Sequence, residues 1–215
     1  MQIEMEEQND QLKALSEIRS LMESSTRFLS LSGLSGIFAG CFGLLGAVAA
    51  FLFLNLGLFS NDYYHYISSS SSYNMPALLF FIADALTVLL LALLVGTYFT
   101  SRNARKKGQP IWDITVKKLL LNLLIPLITG GLFCFVLLFH HLVYLIAPVM
   151  LIFYGLALVN ASKFTFTMVK YLGLSEILLG IIACFFIGYG LLFWALGFGV
   201  LHIIYGALMY NKYER

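Results

Sequence analysis

Long apolar runs alternate with short polar connectors along nearly the whole chain. The runs lie at about Phe28 to Leu54, Pro76 to Thr100, Val116 to Phe139, Leu142 to Asn160, Met168 to Ile187 and Gly190 to Tyr210. Most span close to 20 residues, and at 1.5 Å rise per residue roughly 20 residues cross a hydrocarbon core of about 30 Å. The last two runs are separated only by Gly188, Tyr189 and Gly190. Together they are too long for one span, even a tilted one, so a glycine turn between two helices fits better. The pattern predicts an all-α, polytopic membrane helix bundle with six transmembrane helices.

Composition sharpens this. Of 215 residues, 60% are hydrophobic and 11% charged, and the mean hydropathy is +0.88, whereas a soluble domain is about a quarter charged. Water is not the main solvent of such a chain. A net charge of +2, with its cations scattered, excludes the basic face that nucleic acid binding requires. Cys41, Cys134 and Cys184 fall inside apolar runs without C-x-x-C spacing, which argues for packing rather than for disulfides or zinc. The first run follows a charged segment, exceeds a signal-peptide core in length and lacks a small-x-small cleavage site, so it reads as a retained helix.

The positions of the cations give the direction. Lys13, Arg19 and Arg27 precede the first span; Arg102, Arg105, Lys106, Lys107, Lys117 and Lys118 join the second to the third; Lys163 and Lys170 join the fourth to the fifth; Lys212 and Arg215 follow the sixth. Those are all 13, and the alternate connectors hold none. Because Lys and Arg favour cytoplasmic ends, both termini are expected in the cytoplasm, in a cell (inner) membrane.

Internal similarity suggests three copies of one helical hairpin. Gly33-Leu34-Ser35-Gly36-Ile37-Phe38-Ala39-Gly40 and Gly173-Leu174-Ser175-Glu176-Ile177-Leu178-Leu179-Gly180 agree at five of eight positions. Gly96, Gly155 and Gly206 each precede, by five or six residues, a Ser or Asn near a basic residue. Reuse of a small membrane alphabet, with snorkelling cations at helix ends, accounts for the same pattern.

Three segments are expected: residues 1–27 as a cytoplasmic amphipathic acidic helix, 28–210 as the transmembrane domain, and 211–215 as a cytoplasmic tail. In the first, six acidic residues face three basic ones, while Leu12, Leu15, Ile18 and Met22 form a helical stripe. That charge disfavours anionic lipid. It suits a solvated extension of the first span, or an anchored signalling or scaffold helix that binds a cytosolic protein. In the first span, Ser32, Ser35, Gly36, Ala39, Gly40, Gly43, Gly46, Ala47 and Ala50 recur at spacings of three and four. Such a small-residue face permits close helix packing, within the chain or in a homo-oligomer.

Ionisable groups inside a membrane point to sites, because burying a charge costs several kcal/mol or more. Glu176 and His202 lie at similar depth, and Asn122, Tyr205 and Ser35 fall in the same inner layer; Asp84 stands in the second span with Thr87 near it. A Glu176–His202 pair can exchange a proton, which suits a transporter or small-ligand-binding protein, or can serve as a structural hydrogen bond. It could also act on a lipid headgroup, although no catalytic motif is present and no cofactor is implied. On the other face, Asp62, His65, His140 and His141 offer weak metal ligands without metal-motif spacing. The connector from Asn55 to Met75 holds Tyr63, Tyr64, Tyr66 and Tyr73 around Ser68 to Ser72, as an interfacial belt, a mobile loop or a lid. Pro126 and Pro148 are expected to kink their helices.

Overall fold

The computed structural model describes residues 31–54, 75–108 and 110–215. Six membrane-spanning helices account for almost all of them: α1 Gly33–Leu54, α2 Met75–Lys106, α3 Ile114–Phe139, α4 Ile146–Ala161, α5 Thr167–Phe185 and α6 Gly190–Tyr213. Single 3₁₀ turns flank α4, at Val143–Leu145 and Ser162–Phe164. The structure is thus the all-α, multi-pass bundle that the apolar runs predict, in contact with a lipid bilayer. The acidic segment 1–27 and most of the 55–75 connector, with Asp62 and His65, lie outside the described residues.

Local chemistry sets the helix ends. Asp113, in extended conformation, accepts a hydrogen bond from the Val116 amide at 2.7 Å and starts α3, satisfying one of the amides a helix start leaves over. The helix α2 continues six residues past Thr100, through Arg102, Arg105 and Lys106, whose charges complement its carboxyl-terminal dipole. Gly188 has φ 103°, the left-handed conformation that the turn between α5 and α6 requires. His141 has φ 59° at the turn after α3. Pro148, expected inside α4, is the third residue of its first turn, just after a 3₁₀ turn, where a missing N–H is tolerated.

Backbone contact between glycines joins the helices in two seams. In the first, α1 lies on α6, with Gly33 against Gly206 and Tyr210, Gly40 against Gly199, and Gly43 against Phe198. In the second, α5 lies on α4, with Gly173 against Gly155 and Gly180 against Pro148. Both seams repeat after seven residues, two helical turns. The likeness between α1 and α5 therefore has a packing counterpart. The small face of α1, a candidate for oligomer contact, is filled by α6 and forms an internal seam instead.

Outside these seams, α2 packs on α1 and α3 on α4, through Gly46 against Val88 and Gly130 against Phe153. Among the described residues α2 and α3 scarcely touch. Gly96 has open space around it, although it occupies the place of Gly155 and Gly206 in the sequence pattern. No glycine of α3 meets it, and without a small residue on both sides two backbones cannot approach closely.

One core cluster, Ala47, Trp194 and Ala195, lies nearer the start of α6, and the others lie toward the end of the bundle that carries the basic residues. Leu158, Phe166, Val169, Leu172 and Met209 are buried together there, and the Phe166 ring stacks on Tyr213 at 4.1 Å. Glu214, expected in a tail, docks on α1: its carboxylate accepts hydrogen bonds from the Ser32 hydroxyl at 3.0 Å and from the Gly33 amide.

Candidate functional site: a buried carboxyl, imidazole and phenol

The third turn of α5 places Glu176 where α1 has Gly36, so a carboxyl enters a position otherwise packed with backbone. Its side chain is fully buried. Opposite it, α6 opens from α-helical to π-helical hydrogen bonding over Ala195–Leu201. Such insertions are rare and concentrate at functional sites. The Glu176 carboxyl lies against Gly197, where an added Cβ would stand 2.5 Å from Oε2. A side chain there would have to displace the carboxyl or the Leu151 methyl.

His202 follows the π-helical stretch directly. Its Nδ1 lies 2.9 Å from the Gly197 carbonyl oxygen and 3.4 Å from Glu176 Oε1. A carbonyl only accepts, so Nδ1 carries the hydrogen and donates it. Nε2 then holds a lone pair, and the Tyr154 hydroxyl, 2.7 Å away, donates to it. In this arrangement the imidazole is neutral and both its nitrogens are satisfied.

Glu176 is not satisfied. Neither carboxyl oxygen has a hydrogen-bond partner among the described residues, an arrangement that costs about 1–3 kcal/mol for a buried polar group. If His202 instead held two protons beside an ionised Glu176, Nε2 would become a donor. Tyr154 would then have to turn its hydroxyl and accept. The state of the carboxyl–imidazole pair is therefore tied to the orientation of one phenol.

Aromatic and aliphatic side chains enclose the three groups. The Phe198 ring lies 5.0 Å from Tyr154, 5.2 Å from Trp194 and 6.0 Å from His202, and Leu151 is fully buried beside Gly197. Side chains pack directly on the carboxyl, and the site is occluded.

Of the residues singled out in the sequence, Glu176 and His202 meet at 3.4 Å, and the others do not join them. The Asn122 amide donates to the Lys118 carbonyl of its own helix at 2.8 Å. The Tyr205 hydroxyl pairs with the Ser175 hydroxyl at 3.2 Å, and Ser35 bonds back to the Ser32 carbonyl. Asp84 lies on the α1–α2 contact, its carboxyl against Gly46, while Thr87 donates to Ala83 rather than to it. His140 and His141 are exposed at the α3–α4 turn, and no group of three metal-ligating side chains occurs among the described residues.

Tyr154 escaped the sequence analysis. The signal for it was present: it lies seven residues before the end of α4, about 10 Å by helix rise, in the layer of Glu176 and His202. A phenol at that depth needs a partner. Fold and site together define a six-span helical membrane protein with an occluded carboxyl–imidazole–phenol cluster. No protein-family model, curated protein or solved structure matches the chain.

Proposed function

We propose that this is a multi-pass carrier or small-ligand-binding protein of the cell (inner) membrane, with both termini cytoplasmic, whose working site is the Glu176–His202–Tyr154 cluster. One observation carries the reading: a fully buried carboxyl whose oxygens make no hydrogen bond. A group retained only for stability would be satisfied, because an unsatisfied polar group in a low-dielectric interior is a net loss. A proton, a cation or a polar ligand would supply what Glu176 lacks. The π-helical stretch at Ala195–Leu201 supports the same reading, since returning it to α-helical pairing shifts Gly197 and His202 together and would open the enclosure.

In this reading the occluded arrangement alternates with one in which the cluster reaches the side of the membrane bearing the basic residues. Cysteine labelling tests it without a known substrate. In a background lacking Cys41, Cys134 and Cys184, Glu176→Cys in membrane vesicles is exposed to a small methanethiosulfonate, with Lys106→Cys as the exposed reference. Modification at position 176 within minutes to an hour is expected. A thiol that stays unmodified while position 106 reacts fully would refute the proposal.

A further inference from the structure

The turn between α4 and α5 is drawn into the bundle by Thr165 and Phe166, both buried. Beside it lies a recess of about 440 Å³ lined by Val159, Ser162, Lys163, Thr167 and Lys170. We propose that this recess binds the phosphate of an anionic phospholipid headgroup.

The donors suit a phosphate. Lys163 approaches from the 3₁₀ turn after α4 and Lys170 from α5, and neither pairs with a carboxylate among the described residues. Lys163 donates to the Asn160 side-chain oxygen at 3.4 Å. The Thr167 hydroxyl lies at the start of α5, where Phe166 is the cap residue and supplies no side-chain acceptor. The Val169 amide bonds to the Phe166 carbonyl at 3.0 Å, and the recess lies at the positive end of that helix. Two cations, the Thr167 hydroxyl and a helix start converge on one recess, where the Ser162 hydroxyl already donates to the Val159 carbonyl at 2.7 Å.

The surroundings favour a lipid over a free ion. Leu156 on α4 and Leu174 on α5 continue the faces of Lys163 and Lys170 at helical spacing, and both are exposed, with Tyr171 beside them. They form an apolar strip leading from the recess toward the bilayer centre, where acyl chains attached to the phosphate would lie. Val159 begins that strip inside the recess. Basic pockets between transmembrane helices are a recurrent form of headgroup site.

The test uses the delipidated full chain in neutral detergent, titrated with phosphatidylglycerol and read by native mass spectrometry and thermal shift. Wild type is expected to retain discrete bound phosphatidylglycerol. Lys163→Gln/Lys170→Gln is expected to bind about thirtyfold more weakly, near fivefold per lysine. Lys117→Gln/Lys118→Gln, which removes equal charge from the same end of the bundle, should bind like wild type. A parallel titration with inorganic phosphate separates the sources. Saturable phosphate binding without discrete phosphatidylglycerol binding would keep the anion site and overturn the lipid assignment. Equal losses in the two double variants, or no discrete binding, would overturn the site altogether.

Discussion

Replacing Glu176 with methionine should make the protein more stable. The two side chains are similar in length, and beside Glu176 at Gly197 stand the apolar Leu151 and Leu179, with His202 Nδ1 at 3.4 Å as the polar neighbour. The substitution removes two buried oxygens that have no partner. It orphans nothing, because His202 keeps the Gly197 carbonyl on one nitrogen and the Tyr154 hydroxyl on the other. The gain is the desolvation cost of the unsatisfied carboxyl, about 1–3 kcal/mol. For a chain of this size each kcal/mol moves Tm by roughly 2–4 °C, so the expected rise is at least about 2 °C. Intrinsic fluorescence of Trp112 and Trp194 during a thermal ramp in detergent reports it. Glu176→Gln, which keeps polar atoms in the same place, should gain less. A fall of more than about 4 °C for Glu176→Met, in a range where one kcal/mol is worth 2–4 °C, would show that the carboxyl holds the bundle together and would refute the reasoning.

The neighbouring groups give further outcomes. His202→Phe strands the Tyr154 hydroxyl and should destabilise by about 1–3 kcal/mol; adding Tyr154→Phe should recover part of that loss in a double-mutant cycle, and strict additivity would contradict the hydrogen bond. A Cβ on Gly206 would stand 2.6 Å from the Ile37 nitrogen, whereas Gly96 has nothing within 4 Å, so Gly206→Ala should lower Tm by several degrees and Gly96→Ala should not. Glu214→Ala should remove the cap from α1 at a cost of about 0.5–2 kcal/mol, read as a lower Tm; an unchanged melting curve would contradict the docking. Single cysteines at Lys106 and Lys163 should label with an impermeant maleimide from one side of the membrane, and a cysteine at His140 from the other.

How far the sequence could lead depended on which coordinate was sought. Depth was legible: rise per residue placed Glu176 and His202 in one layer, and they meet at 3.4 Å. Direction around each helix axis was not, because the apolar spans show no polar face to say which neighbour a side chain confronts. Asn122, Tyr205 and Ser35 share the layer, yet each is engaged in another bond. Tyr154 matches that depth but stands in an apolar run with no ionisable residue near it in sequence to mark it. The small face of α1 was evident, but its partner was not, since glycines on α6 and glycines on another copy would look alike in one dimension. The π-helical insertion leaves no mark in hydropathy, which reads α and π turns as equally apolar.

The seam between α1 and α6 bears on how the chain assembles. The helix α1 is threaded into the bilayer early, yet its glycine face has no partner until α6 follows. During that interval the groove along Gly33, Gly36, Gly40 and Gly43 faces lipid, while α4 and α5, neighbours in sequence, can already zip together. Assembly should thus proceed from the middle of the chain outward, with the opening helix held in waiting and locked by the closing one.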